Sequence, residues 1–377
     1  MLFYGLYHIP YRVLRIKCEN DNDMTHTPCY NYFMNRPKFE KRELYTMLLI
    51  LFAALLICYI LLIALGELPM PIIGDLDAQQ TPTEQPTNQP TDEPDPQTTD
   101  FSTPYFTPSV ILQPSNDPSK LLQVYFIDVG QGDCAILISP NGETMLIDGG
   151  ELGNYDTISG YLDELDIDDI DVMVATHAHS DHIGSLGTIA DHYAVETFYT
   201  TKYDNSSKTY ENMMESLREN GAEIKHISAE LDTYIPWDDD ITVRVMSPIK
   251  GIKYSDLNDS SLVLKITYGT QSLMMTGDLG ESAESIMVDT YSNSDLQSTV
   301  LKVAHHGSET SSSQEFINAV SPQIAIISVG EGNKYGHPRP ETLKRFKLRS
   351  IELFRTDKLG SILVSFTEDS YTLKPHV

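Results

Sequence analysis

The sequence predicts an α/β domain in which helices cover two β-sheets, preceded by a membrane helix and an extended linker. Hairpin-spaced apolar strands follow residue 119, a mixed run of strands and helices comes next, and further strands lie near the C-terminus. An uncharged apolar run and a Pro- and Thr-rich stretch precede the domain. We therefore expect four regions: a cytoplasmic segment at 1–43, a transmembrane signal anchor at 44–66, a disordered linker at 67–118 and the domain at 119–377.

The apolar run at 44–66 has the length of about 20 residues that a helix needs to cross a bilayer. Basic residues crowd its N-terminal side between Arg36 and Arg42, and such residues favour the cytoplasmic face. We therefore expect a single-pass protein of the cell membrane with an extracytoplasmic domain. A cleaved signal peptide is the alternative, but the run is long for one and no small-residue cleavage site follows it. A translation start at Met24 or Met34 also stays open.

The linker and the domain hold most of the acidic residues. Gln79–Asp100 contains no apolar residue, so this segment cannot bury enough surface to fold, and its prolines favour extended chain. Residues 1–66 carry seven of the 26 basic and five of the 54 acidic side chains, so the remainder has 19 basic and 49 acidic residues, a net charge of −30. This charge argues against a stable, sequence-independent nucleic-acid partner. It does not exclude an enzyme that attacks phosphodiesters through metal ions, which supply local positive charge.

The cysteines are scattered and form no C-x-x-C pair: Cys18, Cys29, Cys58 and Cys134. They therefore support neither a disulfide framework nor a cysteine zinc site. Cys134 lies in a predicted strand, where we expect a buried, small apolar residue.

Strand and helix signals follow one another through the domain. Turn residues at 130–133 and 140–142 separate three apolar runs and predict two hairpins. Strands are expected at 121–127, 134–138, 144–147, 171–175, 195–200, 241–247, 261–268, 271–276, 298–304, 323–328, 351–355 and 360–366. Helices are expected at 155–165, 183–192, 207–220, 313–320 and 340–348.

The stretch Thr176–Gly184 contains a dense group of metal-capable side chains. It follows the apolar strand at 171–175 and has the pattern H-x-H-x-D-H, formed by His177, His179, Asp181 and His182. Alternate side chains of an extended segment point the same way, so His177 and His179 can bind one ion. Asp181 and His182 are offset and could reach a second ion. Imidazole and carboxylate ligands suit zinc, manganese or iron.

Two later strands also end in ligand-type residues. The strand at 271–276 leads to Asp278, and the strand at 298–304 leads to His305 and His306. A carboxylate at Asp278 could bridge two metal ions about 3.5–4 Å apart, the spacing of two-metal sites. Because α/β folds place their chemistry at strand ends, three such ends predict one coherent site.

These motifs together resemble the metallo-β-lactamase superfamily, and specifically the soluble hydrolase domain of ComEC-type competence proteins. The resemblance covers about 120–377 and holds in order through Phe126–Asp133, Leu146–Gly150, Thr176–Gly184, Asn258–Leu262, Thr276–Asp278, His305–Ser308, Ser328–Gly330 and Tyr335–Pro338. It implies a four-layer αββα sandwich with the site at the shared edge of the sheets. It also implies two divalent metal ions, Zn²⁺ first with Mn²⁺ as the alternative, and a nuclease-like or phosphodiesterase activity.

The resemblance also implies a ligand for each position of a two-metal site. His177 and His179 would bind the first metal, Asp278 would bridge, and the second metal would take Asp181, His182 and one of His305 and His306. We favour His305 because it comes first off the strand. The usual third histidine for the first metal is not evident, and Asn258 with its neighbours occupies the corresponding segment. His192 and His226 have no matching context.

Other polar residues are expected to support the ligands or to bind the substrate. Asp128 and Asp148 follow strands, and we expect them to orient the ligands rather than to bind metal. His337 should hydrogen-bond a phosphoryl oxygen or protonate a leaving group, while an orienting structural role is the alternative. Ser308 and the hydroxyl residues up to Ser313 either bind phosphate near a helix start or cap that helix. The predicted catalytic residues are Asp181 and His337, and the predicted supporting residues are Asp128, Asp148, Asn258 and Ser308.

The sequence thus predicts a membrane-anchored, extracytoplasmic, metal-dependent hydrolase that attacks phosphodiesters with metal-activated water. Among phosphodiesters, DNA is the favoured substrate. ComEC-type proteins carry a many-helix channel, so this chain is not expected to conduct DNA by itself. Long DNA would need a basic strip formed by Lys302, Lys334 and the basic residues at 339–349, although we favour an ordinary solvated face for the helix expected there. The alternatives are a cell-wall phosphodiesterase acting on teichoic-acid or phosphocholine groups, a β-lactam hydrolase, and a non-catalytic metal-binding surface module.

Overall fold

Two mixed β-sheets form the centre of the domain in this computed structural model, which describes residues 120–376. The strands are β1 (Leu122–Phe126), β2 (Ala135–Ile138), β3 (Thr144–Ile147), β4 (Asp169–Val174), β5 (Ala194–Thr200), β6 (Glu223–His226), β7 (Tyr234–Ile235), β8 (Ile241–Ser247), β9 (Val263–Tyr268), β10 (Gln271–Met275), β11 (Val300–Lys302), β12 (Ile324–Ile327), β13 (Glu352–Arg355), β14 (Ser361–Phe366) and β15 (Tyr371–His376). The first sheet has the order β15-β14-β1-β2-β3-β4-β5-β6, and the second has the order β13-β12-β11-β10-β9-β8-β7.

Each sheet is antiparallel in one part and parallel in the other. In the first sheet, β14, β1, β2 and β3 pair antiparallel, whereas β3, β4, β5 and β6 pair parallel. In the second sheet, β8, β9 and β10 pair antiparallel, and β10 to β13 pair parallel. The parallel strands therefore end on one edge of each sheet, the edge from which the motif loops leave.

Helices cover the outer faces of both sheets. They are α1 (Tyr155–Glu164), α2 (Ser180–Ile183), α3 (Leu186–Ala190), α4 (Lys208–Asn220), α5 (Glu281–Thr290), α6 (Asn293–Leu296), α7 (Gln314–Val320), α8 (Pro340–Lys347) and α9 (Thr356–Leu359), with 3₁₀ turns at Asn258–Ser260 and Ala304–Gly307. No helix within 120–376 has both the length and the apolar character needed to cross a bilayer. The predicted anchor at 44–66, like the segments at 1–43 and 67–118, lies outside the described residues.

Three apolar layers hold these elements together. Inward-facing residues of both sheets, such as Val124 and Leu264, form the central layer. The outer face of the first sheet packs on helical residues such as Leu162 and Leu217, and that of the second packs on residues such as Phe316. Burial of one such large apolar side chain contributes about 1.5–3 kcal/mol. The architecture is therefore the predicted αββα sandwich of two sheets between two helical layers.

The predicted strands and helices are present, and their bounds change where the chain turns toward the site. The helix expected at 183–192 begins earlier, at Ser180, and is divided into α2 and α3. The strand expected at 298–304 is limited to β11, because residues 304–307 form a 3₁₀ turn. Cys134 is buried as expected but lies just before β2 rather than within it.

Six elements of the structure were not predicted from the sequence: α5, α6, α9, β6, β7 and β15. Helix α5 buries Glu284 between Ala283 and Met287, and this charged residue interrupts the apolar pattern that would have indicated a helix. Strand β15 contains Pro375 and lies at the edge of its sheet, where a missing backbone donor is tolerated.

Candidate metal centre

Three loops at the carboxyl ends of strands bring the metal-capable side chains together. The H-x-H-x-D-H stretch follows β4 of the first sheet, whereas Asp278 follows β10 and His305 follows β11 of the second. The loops touch at Gly277, where a Cβ atom would lie 2.9 Å from the side chain of Thr176 and where φ is +52°. Only glycine fits this close approach without strain. The site therefore lies at the shared edge of the two sheets, as predicted.

Asp278 is the centre of a compact group of four ligand-type residues. Its Oδ1 lies 3.2 Å from His182 Nε2 and 3.5 Å from His306 Nε2. Asp181 completes the group, because its Oδ2 lies 3.4 Å from His306 Nε2. One ligand atom from each of these four residues lies within 4.8 Å of the other three. Two imidazoles and two carboxylates are a donor set that suits zinc or manganese.

The hydrogen bonding of this group fits a metal ion. Asp278 Oδ1, His182 Nε2 and His306 Nε2 are buried, and none of them has a hydrogen-bond partner. Buried polar atoms are normally paired, and each unpaired one carries a desolvation cost of about 1–3 kcal/mol. A divalent cation between these atoms would satisfy all three, so the residues present could hold the metal that the motifs imply.

The pKa values in the group show how strongly its charges depend on one another. Burial lowers the pKa of His182, but Asp278 and Asp148 outweigh burial and raise it well above its usual value. Burial also lowers the pKa of His306, but Asp278 and Asp133 outweigh burial and raise that pKa to about 9. Burial raises the pKa of Asp278, but His306 and His182 hold it well below the usual range. Without a cation, protonated histidines thus balance the carboxylates, and metal binding would release those protons.

The other oxygen of Asp278 faces the remaining motif histidines. Its Oδ2 lies 4.0 Å from His177 Nε2 and 3.7 Å from His305 Nε2. His177 Nε2 is in turn 3.0 Å from His179 Nδ1. Asp278 therefore lies between two sets of imidazole nitrogens, which is the position that a bridging carboxylate requires.

The tandem histidines divide between the two sides of Asp278. Both have left-handed backbone angles, with φ of +51° at His305 and +52° at His306, and their rings meet nearly edge-on at 73°. The four-residue group contains His306, whereas our preference for His305 as the ligand of the second metal stays a prediction. The left-handed turn directs the second side chain, rather than the first, toward Asp181. The histidines without a motif context, His192 and His226, are exposed and lie elsewhere.

Asp148 contacts the His182 ring nitrogen that faces away from the site, which is the orienting role predicted for it. Its Oδ2 lies 2.8 Å from His182 Nδ1, and its carboxylate accepts hydrogen bonds from the backbone N–H and the hydroxyl of Thr176. A carboxylate on the distal nitrogen orients the ring and directs Nε2 toward the site. Asp128 does not share this role. Its carboxylate accepts from the Gly130 backbone, its own N–H donates to Ser361, and it contacts none of the candidate ligands.

A buried ion pair supports His306, and sequence reasoning assigned it no such role. Asp133 Oδ1 lies 3.2 Å from His306 Nδ1, and the other oxygen of Asp133 pairs with Lys302 Nζ. Burial raises the pKa of Asp133, but Lys302 and His306 outweigh it and lower that pKa. Two features of the sequence could have indicated this ion pair: a carboxylate at the end of the Gly130–Asp133 turn and a lysine inside an apolar strand. Because Lys302 is 1% exposed, it cannot belong to a DNA-binding strip.

An open cleft of about 290 Å³ lies in front of these residues. Its lining includes five candidate ligands together with Gln131, Ser180, Asn258, Tyr335 and His337. Asn258 thus reaches the cleft as expected. Ser308 does not line it, because its hydroxyl meets Thr310 Oγ1 at 3.0 Å. Ser313 caps helix α7 by accepting from the Phe316 N–H, so of the two predicted roles of this hydroxyl segment the structure shows capping.

His337 lies at the rim of the cleft as a neutral side chain. Burial, followed by the charges of His305 and His306, lowers the pKa of His337 to about 4. Its Nδ1 is buried and has no hydrogen-bond partner. Of the two roles predicted for His337, hydrogen bonding to a substrate oxygen fits a neutral ring, whereas proton donation by an imidazolium does not.

Sequence comparison identifies the family to which this arrangement belongs. The family described as the metallo-beta-lactamase superfamily matches residues 127–331, which contain the H-x-H-x-D-H motif, Asp278 and His306. The chain belongs to the metallo-β-lactamase superfamily. Among solved structures of this fold, the YhfI protein from Bacillus subtilis is similar with a TM-score of 0.43 and 14% identity, over 66% of this chain and 100% of that one.

Within the superfamily, the chain is similar to ComEC-type proteins. ComE operon protein 3 of Bacillus subtilis is 32% identical over 257 residues, which cover 64% of this chain and 32% of that protein. Competence protein ComA of Neisseria gonorrhoeae is 31% identical over 254 residues, which cover 67% of this chain and 33% of that protein. The chain thus spans about a third of the length of these relatives.

Proposed function

We propose that this protein is a membrane-anchored, extracytoplasmic, metal-dependent phosphodiesterase with nuclease-like activity. Among the candidate substrates we favour DNA. One observation carries the proposal. Asp181, His182, Asp278 and His306 come from three separate loops and converge within 4.8 Å beside an open cleft. Three of their ligand atoms are buried without hydrogen-bond partners, so the charges of the group must be balanced by protons on the histidines or by a bound cation.

Each residue has a part in this proposal. Bound divalent ions would lower the pKa of a bound water toward about 7 and stabilise charge on the attacked phosphorus centre. Asp278 would hold both metal positions together, with His177 and His179 on one side and His182 and His306 on the other. Asp148 and the carbonyl oxygen of Ser328 fix the distal nitrogens of His182 and His306, and Asp133 lies 3.2 Å from the same His306 nitrogen. Neutral His337 would donate a hydrogen bond to a phosphoryl oxygen at the cleft rim.

Two further points support the location and the substrate. The uncharged run at 44–66 and the basic residues before it support an anchor with the domain outside the cytoplasm. Relatives named as a competence protein and a recombination protein support DNA. The basic helix α8 adds less than expected, because Arg345 donates to the backbone oxygens of Ser311 and Glu309. Lys344 and Lys347 remain exposed on this helix.

Metal content and turnover, measured together, test the proposal. The full chain in detergent should bind divalent metal and hydrolyse bis-p-nitrophenyl phosphate and plasmid DNA, whereas a phosphocholine ester should remain intact. Asp278→Asn should abolish both metal retention and turnover, because the bridging carboxylate is lost. Asp239→Asn changes an exposed carboxylate and serves as the control. Turnover of the choline ester alone would favour the cell-wall enzyme, and metal binding without any turnover would favour a non-catalytic module.

A further inference from the structure

An exposed aromatic ring lies at the mouth of the metal cleft. Tyr335 is 43% exposed, although it lines the same cleft as His305, His306 and Asp278. Tyr234 has almost the same exposure, 44%, but it lies on the edge strand β7 and does not line the cleft. Isolated exposed aromatic residues are ordinary on protein surfaces, so position and support distinguish Tyr335.

The loop that carries Tyr335 is held in one conformation by Asn333. The side-chain oxygen of Asn333 accepts from the N–H groups of Tyr335 (3.2 Å) and His337 (3.0 Å). Its side-chain nitrogen donates to the carbonyl oxygens of Gly330 (3.0 Å) and His337 (2.7 Å). The loop also packs closely against its surroundings, since a Cβ atom on Gly330 would lie 2.6 Å from the Gln131 nitrogen. The ring is therefore pre-positioned, and little conformational entropy would be lost when a ligand binds it.

The Tyr335 ring stacks toward the candidate metal centre, and the ammonium group of a lysine lies over it. Tyr335 stacks on His337 with ring centroids 5.7 Å apart and an interplanar angle of 24°. His337 in turn meets His305 edge-on, with centroids 5.5 Å apart. Lys334 Nζ lies 5.0 Å from the centre of the Tyr335 ring. Lys334 is an exposed side chain, so it can turn from the ring to a phosphate and leave the aromatic face to a base, the two contacts that single-stranded nucleic acid uses.

We propose that Tyr335 and Lys334 form a nucleotide subsite, in which Tyr335 stacks a base next to the hydrolysed bond and Lys334 contacts a neighbouring phosphate. This inference rests on the proposed phosphodiesterase function and specifies its substrate class. Lys334 also discriminates between nucleic acid and a phosphocholine ester, because its ammonium charge repels a quaternary ammonium group such as choline. The subsite therefore favours single-stranded or frayed nucleic acid over a phosphocholine ester.

The experiment compares base-containing with base-free substrates. Full-length protein is loaded with Mn²⁺ or Zn²⁺ and given a short oligothymidylate or an abasic oligomer with the same phosphodiester backbone. Binding is measured by fluorescence anisotropy in the metal-free protein, and cleavage is measured in the loaded protein. The variants are Tyr335→Ala, the conservative Tyr335→Phe, Lys334→Gln, and Tyr234→Ala as the control of equal exposure.

Wild-type protein should bind the base-containing oligomer more tightly than the abasic one, and Tyr335→Ala should reduce this preference by about 5- to 150-fold. Tyr335→Phe should retain it, because the stacking face remains. Lys334→Gln should lower the slope of log affinity against log salt by about 0.7, the value for one phosphate contact with a single strand. Tyr234→Ala should change neither quantity.

A preference for the base that survives in Tyr335→Ala, or one that falls equally in Tyr234→Ala, would overturn the subsite. Failure of the proposed function looks different, since no substrate would then be cleaved with either metal. The anisotropy measurement still decides the subsite in that case, because it requires no turnover. Tighter binding of a phosphocholine ester than of the oligomer would also contradict the inference.

Discussion

Replacing Lys302 by methionine should destabilise the fold strongly, because it would strip a buried carboxylate of its counter-ion. Lys302 is 1% exposed and pairs with Asp133, whose side chain is 8% exposed. Methionine keeps most of the volume but removes the charge. Breaking a buried ion pair by deleting one partner typically costs about 3–5 kcal/mol, a large share of the roughly 5–15 kcal/mol that keeps a domain folded. Asp133 also approaches Asp148, whose pKa is raised by burial and by Asp133 among other causes, so the unpaired charge would meet another carboxylate.

Chemical denaturation followed by tryptophan fluorescence measures this effect. Trp237 is the single tryptophan and packs against the layer between the two sheets, so it reports on loss of that core. Lys250→Met is the matched control, because Lys250 pairs with Glu230 at 2.7 Å with side chains 64% and 59% exposed. Such a surface pair contributes about 0–1 kcal/mol. Chelator is present throughout, so that metal binding does not add to the free energy of unfolding.

A double variant separates the ion pair from packing. If the uncompensated charge of Asp133 is the cause, Lys302→Met combined with Asp133→Asn should recover part of the loss relative to Lys302→Met alone. A loss of stability in Lys302→Met no larger than that in Lys250→Met would refute a strong buried ion pair. So would a double variant that is less stable than the sum of the two single changes.

Three further predictions concern sterics, ionisation and the metal. Gly184→Ala should cost about 3 kcal/mol or more in unfolding free energy, because the new Cβ would lie 2.2 Å from the backbone of Glu151, whereas Gly160→Ala on the exposed face of α1 should gain about 0.5–1 kcal/mol. Equal effects of the two changes in a denaturation series would contradict this. Burial raises the pKa of Glu284 to about 7, although hydrogen bonds from Ser313 and Ser312 act to lower it. Glu284 therefore binds a proton more tightly in the folded protein than in the unfolded chain. That stabilisation is complete at low pH and is lost as pH rises from about 4.5 through 7. Glu284→Gln should therefore become more stable relative to wild type by roughly 2.5 kcal/mol between pH 5 and 8, and a difference that does not vary with pH would refute this. Added Zn²⁺ or Mn²⁺ should raise the melting temperature and release protons into weakly buffered solution, and His306→Ala should weaken both effects when each protein is compared with its own metal-free form. Unchanged metal stabilisation in that variant would exclude His306 as a ligand.

Much of the fold and part of the site could be predicted because their signals are local. Apolar runs such as 171–175 and turns such as 130–133 depend on neighbouring residues, so two sheets, their hairpins and most helices were predictable. The H-x-H-x-D-H spacing likewise places its side chains by backbone geometry alone. Asp278 was predictable because it follows a recognisable strand. Helix α5 was missed because the position of Glu284 inside the protein depends on donors about 28 residues away.

The choices that tertiary structure decided all depend on contacts between distant segments. The sequence by itself determined which residue types could bind metal and at which strand ends they lie. It could not decide between His305 and His306, because the left-handed turn at 305–306 orients each ring only after the loop docks on Gly277. It could not distinguish Asp128 from Asp133, since both follow the same strand and only packing brings Asp133 to His306 and Lys302. The physical reason is that a side chain's role in a site is set by distances across the fold, which residue spacing along the chain does not contain.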